Sequence, residues 1–462
     1  MIKAGFFETD ITPPIGTERP ADFMKLRVER ISDPLKARAV VFSNGENKVA
    51  LVGIDTIGFG AGFRKKVEEA LPEFKILLNA SHTHYGGNLR DKLPCIDEAP
   101  EEIRHYALVD SVAHDPLYYA YGIQQVVTAV KMASERLEGV DFSFGRGRVE
   151  GLIFNRRIRM KDGHVQTHPG KGNPDALEYA GPVDDELGVV GVWKKGTDQL
   201  LGFLLNFSCH ACINLEGATS DFPGVAIDTV RRVFGMDAGA VYINGASGDV
   251  TQIDNLSLKK DRGKAIAVKL GRCVGAEGIK ILATADHGEI GTLSFLSAEL
   301  PLKRTFPAPE VVEKARQRAR LNNGEASFLM AKGIVIQDYV DRHSSSSLVD
   351  RVNVVQLGPL VIGSSSGEMF AQYALDFKKA SPFPFTWYAQ LNGGPLGYIP
   401  TPDCFEKSGG GYETATSKFA PETGVEVVGL LGSLVQRLTP EEPPQPETVP
   451  PVKQAWSYNF EK

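Results

Sequence analysis

Short runs rich in Val, Ile and Leu, each closed by a polar or glycine-rich turn, constrain this chain more than any other feature of its sequence. They are Val49 to Ile54, Ile76 to Leu78, Leu200 to Phe207, Ala240 to Ile243, and the pair Val352 to Leu357 and Leu360 to Ile362, joined across Gly358-Pro359. Runs this short, without polar alternation, read as strands buried on both faces. Between them, Pro116 to Leu137, Ala226 to Phe234, Lys264 to Ala283, Glu310 to Leu321 and Val425 to Leu438 carry helical spacing. Strands alternating with helices predict an α/β fold: a large mixed β-sheet core flanked by helices, with the active site at the strand C-terminal ends.

Length alone does not divide the chain, because 462 residues suit two or three average domains or one large α/β domain. Punctuation is more informative. The sequence has no internal repeat, and its first low-complexity stretch is Thr439 to Pro451, whose six prolines exclude a helix or a central strand. This predicts a catalytic unit over residues 1–438 and a Pro-rich C-terminal tail over 439–462, with Trp456, Tyr458 and Phe460 either docking the tail or hanging free.

A net charge of -6, with no run of five Lys or Arg, gives nucleic acid and anionic membranes no electrostatic footprint. No window approaches 18 uninterrupted apolar residues, and the first ten residues lack the basic start and apolar core of a signal peptide. The expectation is a soluble cytoplasmic protein that acts on a small molecule, with homo-oligomerisation left open. Five cysteines spread over the chain, Cys95, Cys209, Cys212, Cys273 and Cys404, predict free thiols rather than a disulfide framework.

Residues able to do chemistry stand just past the apolar runs: Asp55, His82 and His84, His210, Asp249 and Glu368. Five such strand ends suggest one shared crevice. In Asn79-Ala80-Ser81-His82-Thr83-His84 the two histidines lie two residues apart, so an extended backbone would project both imidazoles from one face. One could bind metal while the other moves a proton; a hydrogen-bonded pair in a loop is the competing reading. His210 could add a third nitrogen, and Glu368, after Gly363-Ser364-Ser365-Ser366-Gly367, a carboxylate. The turn Asn244 to Thr251 offers backbone N–H groups to an oxyanion, or is simply a tight connection. Arg156, Arg157 and Arg159 could clamp an anion, against a reading as a solvated strand with Arg156 and Arg157 on opposite faces.

Taken in order, several motifs resemble the catalytic domain of the neutral, non-lysosomal ceramidase family. Asp10-Ile11-Thr12-Pro13-Pro14-Ile15-Gly16 is similar to its opening, Asn79 to His84 to its first metal segment, and Gly248-Asp249-Val250 to its Gly-Asp-Val-Ser motif. Phe154-Asn155-Arg156-Arg157 and Asp221-Phe222-Pro223-Gly224 follow suit, over approximately residues 1 to 438. The resemblance implies that His82, His210, Glu368 and Tyr398 ligate one Zn2+, with His84 beside it for proton transfer. Thr251 stands in place of the family's serine, and the expected protein is a short homologue without the C-terminal sandwich domain, whose substrate is not ceramide.

The mechanism this implies is attack of a metal-activated water on an amide or ester carbon. His84 passes the proton, Asp249 and Thr251 complete the catalytic set, and Arg156, Arg157, Arg159 and Asn244 bind the substrate, a small anionic molecule. Two rivals stay open: a metal-dependent lyase or isomerase acting on a sugar acid, and a binding homologue that has lost catalysis.

Overall fold

Antiparallel pairing dominates the larger sheet, and parallel pairing is confined to its two ends. The computed structural model describes residues 1–448 apart from 22–23, 112–113, 215, 322–325, 345–347 and 447; the aromatic residues at 456, 458 and 460 lie outside the described residues. Eight strands of the nine-stranded sheet run in the order Gly239–Asn244, Leu200–Phe207, Glu186–Lys194, Glu138–Arg148, Lys3–Asp10, Lys36–Ser43, Lys48–Ile54, Lys75–Ala80, with His287–Gly288 also on Glu138–Arg148. The outermost neighbours at each end are parallel. Each parallel pair is bridged by a crossover helix, Asp221–Phe234 at one end and Ala61–Ala70 at the other, as parallel strands require.

This sheet curls until its two edges meet. The Asn79 side chain, on one edge strand, accepts from the Asn244 N–H at 2.7 Å and donates to the Asn244 carbonyl at 3.2 Å on the other. Close approach is possible because position 53 is glycine: a Cβ there would stand 2.6 Å from the Tyr242 carbonyl oxygen. The loops that leave the two edges therefore open onto the same place.

A four-stranded sheet, in the order Leu293–Pro301, Val349–Leu357, Leu360–Ser364, Phe385–Ala389, covers one face of the first. Phe142, Val190, Leu204, Val355, Ile362 and Trp387 form the core between them. Buried Asn206 stitches the layers, donating to the Ile243 and Tyr388 carbonyls at 3.0 and 2.9 Å. The remaining faces carry helices: Pro116–Glu135 on one side, Lys264–Thr284 with Asp221–Phe234 on another, and Ala371–Ala380 with Thr423–Val435 outside the smaller sheet. The fold is thus α/β, a mixed sheet core flanked by helices.

The start of the proline-rich stretch lies against the body. Glu441 accepts from the Gly291 and Thr292 N–H groups at 2.8 and 3.0 Å, and Gln356 donates to the Thr439 carbonyl at 2.7 Å.

Candidate metal centre

His82 follows the edge strand Lys75–Ala80, but its backbone leaves the extended region: φ is 64°. The two histidines of the His82-Thr83-His84 segment therefore converge through a left-handed turn rather than through a strand pleat, which corrects the extended geometry expected from the sequence. The turn is held by a bridge between Thr83 and Ala211 and by the Thr83 hydroxyl on the Thr219 carbonyl at 2.7 Å. That bridge also lays the 209–212 segment alongside, delivering His210. The rings of His82 and His84 are 4.9 Å apart, and those of His82 and His210 4.5 Å.

The ligand nitrogens of His82, His84 and His210 all lie within 4.8 Å of one another. Glu368 joins them from the far side: its Oε2 is 3.3 Å from Nε2 of His82 and 3.3 Å from Nε2 of His210. Nε2 of His84 lies 3.4 Å from that of His82. Ligands at about 2.0–2.1 Å around a tetrahedral zinc ion are separated by about 3.3 Å, so these spacings suit a shared cation. Glu368 Oε2 is buried and makes no well-aligned hydrogen bond, the condition of an oxygen awaiting a different partner.

The outer nitrogens support the same arrangement. Nδ1 of His82 faces the Ile57 carbonyl at 2.7 Å and Nδ1 of His210 the Ser247 carbonyl at 2.6 Å. A carbonyl on Nδ1 requires its proton there and leaves the Nε2 lone pair pointing inward. Burial, then the Arg156 charge and His82, push the His210 pKa down to about 4. Burial and both neighbouring imidazoles hold His84 well below the usual histidine range. Burial alone would raise Glu368, but His82 and His210 outweigh it and hold the carboxyl well below its ordinary value. A carboxyl held low beside the depressed imidazoles of His84 and His210 is a donor set that suits a cation.

Tyr398 enters beside Glu368, since the two residues are register partners in a short parallel pair. Its hydroxyl shares a hydrogen bond with Arg156, whose guanidinium carbon lies 5.1 Å from the ring. Arg156 also faces Nε2 of His210, from Nη1 at 3.2 Å.

The other sequence-predicted residues fall around this centre in different ways. Asp249 is buried with both oxygens engaged, by the Ala371 N–H at 2.8 Å and by Asn155 Nδ2 at 2.6 Å; burial raises its pKa to about 6. The Gly248 and Val250 N–H groups are taken by the Met369 and Ser247 carbonyls, so the oxyanion role expected of this turn does not fall to them. Thr251 is buried, its hydroxyl accepting from the Ile253 N–H at 3.3 Å. Asn244 is buried at the sheet edge with Oδ1 unpartnered.

Arg156 and Arg157 do not diverge to opposite faces. Both meet Glu413, Nε of Arg156 at 2.6 Å and Nη1 of Arg157 at 3.0 Å. Arg159 pairs with Glu178 at 3.6 Å and, with Arg157, Asp249, Asp403 and Glu406, lines a cavity of about 220 Å³. Asp55 likewise stays outside the cluster, paired with Arg38 at 2.7 Å within the sheet.

Glu413 and Tyr412 escaped the sequence reading. Gly409-Gly410-Gly411 just before Tyr412 was an available signal: a Cβ on Gly411 would stand 2.6 Å from Nη1 of Arg157, which marks a backbone pressed against a functional side chain.

No protein-family model matches the chain, and no curated protein matches it by sequence. Solved structures do. Neutral ceramidase from Pseudomonas aeruginosa superposes with a TM-score of 0.67 at 17% identity, over 96% of this chain and 76% of that one. A ceramidase complexed with C2 gives 0.69 at 16%, over 96% and 77%. The chain has the neutral ceramidase fold. Within that fold the three-histidine cluster lies where the curled sheet brings its edges together, with Glu368 and Tyr398 supplied from beside the smaller sheet.

Proposed function

We propose that this protein is a metal-dependent hydrolase, holding zinc on His82, His210, Glu368 and Tyr398 and cleaving an amide or ester bond in a small anionic molecule. The observation that carries the reading is the placement of Glu368 Oε2, buried without a well-aligned hydrogen bond, 3.3 Å from Nε2 of both His82 and His210. A zinc ion held there would lower the pKa of a bound water toward neutrality and polarise a carbonyl oxygen.

The chain's own groups divide the remaining work. His84 alone of the three histidines has no backbone carbonyl on Nδ1 among the described residues, so its ring is free to take a proton and return it to the leaving group. Arg156, fixed by Glu413 and bonded to the Tyr398 hydroxyl, directs positive charge at the reacting end of the substrate. Asp249 and Thr251 act as positioning residues: Asp249 ties the 248–251 turn to the first N–H of the helix Ala371–Ala380, and that turn carries the Val250 carbonyl on which the His210 N–H rests at 3.3 Å.

The test is metal content by elemental analysis of wild type, His82→Ala and His210→Ala purified without chelator, followed by a screen of N-acyl and ester substrates. About one zinc per chain in wild type, lost in both variants, together with turnover, supports the proposal. Wild-type protein that takes up no zinc when supplied sinks it. Metal without turnover would instead point to a binding homologue, and an unsaturated product from a sugar acid to a lyase.

A further inference from the structure

We propose that the cavity walled by Arg157, Asp403 and Glu406 is a second binding site, for a small zwitterion of the amino-acid class, with the ligand's carboxylate on Arg157 and its ammonium at the two acids. None of His82, His84, His210, Glu368 and Tyr398 lines this cavity, so the site stands apart from the metal centre and from the hydrolytic reading.

The cavity encloses about 220 Å³, against the roughly 10–15 Å³ that holds one water. Its wall changes character from inside to outside. Arg157, Phe370 and Cys404 are buried, whereas Asp403, Glu406 and Ser408 are exposed.

The inner end suits an anion. Both side-chain hydrogen bonds of Arg157 leave from Nη1, to Glu413 at 3.0 Å and to the Gly410 carbonyl at 2.7 Å. Nε and Nη2, the two donors along the other edge of the guanidinium, have no acceptor among the described residues, although the residue is only 3% exposed. The group lies 5.4 Å from the ring of Phe370, which lines the same cavity. Its one countercharge, Glu413, is shared with Arg156 at 2.6 Å, so two buried guanidiniums rest on a single carboxylate. Asp249, also in the wall, does not answer them: its oxygens are taken by the Ala371 N–H and by Asn155. A carboxylate matches two parallel guanidinium donors.

The outer end suits a cation. Asp403 and Glu406 make no ion pair or side-chain hydrogen bond among the described residues, and Arg159, the other cation in the wall, pairs with Glu178 at 3.6 Å. The loop that carries both acids is tied to the inner end, because the Gly410 carbonyl that holds Arg157 follows a Gly410 N–H bonded to the Cys404 carbonyl at 2.6 Å. A simple anion would meet the two acids, and a simple cation would meet Arg157. A molecule with both ends satisfies the whole wall.

The experiment uses the full chain as purified, dialysed free of unbound metal. Glycine, β-alanine and γ-aminobutyrate, which space the two charges differently, are titrated calorimetrically beside propionate and propylamine, which keep one end each. At least one amino acid should bind about tenfold or more tighter than either single-ended compound. The double variant Asp403→Asn/Glu406→Gln, at exposed positions, should lose that advantage, and Arg157→Lys, which keeps the charge and loses the fork, should weaken it. Glu289→Gln, an acid lost at an exposed pair with Lys195, should match wild type. So should His82→Ala, which alters the metal centre.

Amino acids that bind no tighter than propionate and propylamine overturn the proposal, as does wild-type affinity in the Asp403→Asn/Glu406→Gln variant. Loss of binding in Glu289→Gln would reduce the effect to overall charge, and loss in His82→Ala would move the ligand to the metal centre; either result overturns it too. If Arg157→Lys does not fold, the rim variant decides. Absent zinc or absent turnover counts against the hydrolase reading alone.

Discussion

The Arg156 guanidinium donates from Nε to Glu413 at 2.6 Å, and the carboxylate that receives it has no exposed surface. The same carboxylate takes Arg157 at 3.0 Å and the Thr167 hydroxyl at 2.6 Å, so one buried charge organises two buried cations. Burial would raise the Glu413 pKa, but Arg156 and Arg157 outweigh it and hold the carboxyl below its ordinary value.

Glu413→Gln keeps the size of the side chain and removes its charge, leaving two guanidiniums buried without a countercharge. Removing one partner of a buried ion pair costs about 3–5 kcal/mol. Thermal unfolding should show a fall in Tm of several degrees or more; a Tm equal to wild type would mean that neither arginine depends on Glu413.

Glu368→Gln should cut zinc affinity by at least tenfold, since it replaces the one anionic oxygen of the set with a neutral one. Zinc at about 100 times its Kd stabilises a native site by about 2.7 kcal/mol. Wild-type protein should therefore gain Tm on adding zinc and lose it on chelation, while the Glu368→Gln variant responds weakly. An equal response would exclude Glu368 as a ligand.

Gly248 offers a test that leaves every proposed ligand in place. A Cβ there would stand 2.4 Å from the Glu368 carbonyl oxygen, too close for any side chain, and the Gly248 N–H is bonded to the Met369 carbonyl at 2.8 Å. Gly248→Ala should displace the backbone that carries Glu368, costing about 1–3 kcal/mol of stability and weakening zinc binding. Unchanged zinc binding would show that Glu368 tolerates movement.

His168 sets a pH prediction. Burial, and then the Arg156 charge, lower its pKa from 6.5 to about 4, with Asn255 Oδ1 facing Nδ1 at 3.2 Å. A histidine depressed in the folded state contributes stability that is present above its unfolded pKa and lost as pH falls through the folded one. Tm should fall more steeply between pH 6.5 and 4 in wild type than in His168→Asn, asparagine being tolerant of the positive φ at this position. Identical slopes would show that His168 titrates alike in both states.

The strands the sequence revealed are those that meet the parallel ends and the smaller sheet, because they are apolar throughout. Leu200–Phe207 was read to the residue, and the helix Pro116–Glu135 nearly so. Glu138–Arg148 was missed: it places glycines, Asp141, Ser143 and two arginines among Val and Phe, and crosses from the buried middle of the sheet to solvent, so neither a run nor an alternation survives.

The site divides in the same way. Two histidines at close spacing declare themselves, yet their convergence depends on a left-handed turn at His82 that local spacing does not encode. Glu413 lies 257 residues from Arg156, so no window contains both.

The curled sheet has a consequence for how the chain is made. His82 and His210 come early, just past strands laid down in the first half of the sequence, while Glu368 and Tyr398 come from beside a sheet completed only at Phe385–Ala389. During vectorial synthesis the imidazoles are therefore made well before the carboxylate that joins them. Correct assembly then depends on the last third of the polypeptide closing over groups that have already been exposed to whatever ions the surroundings contain.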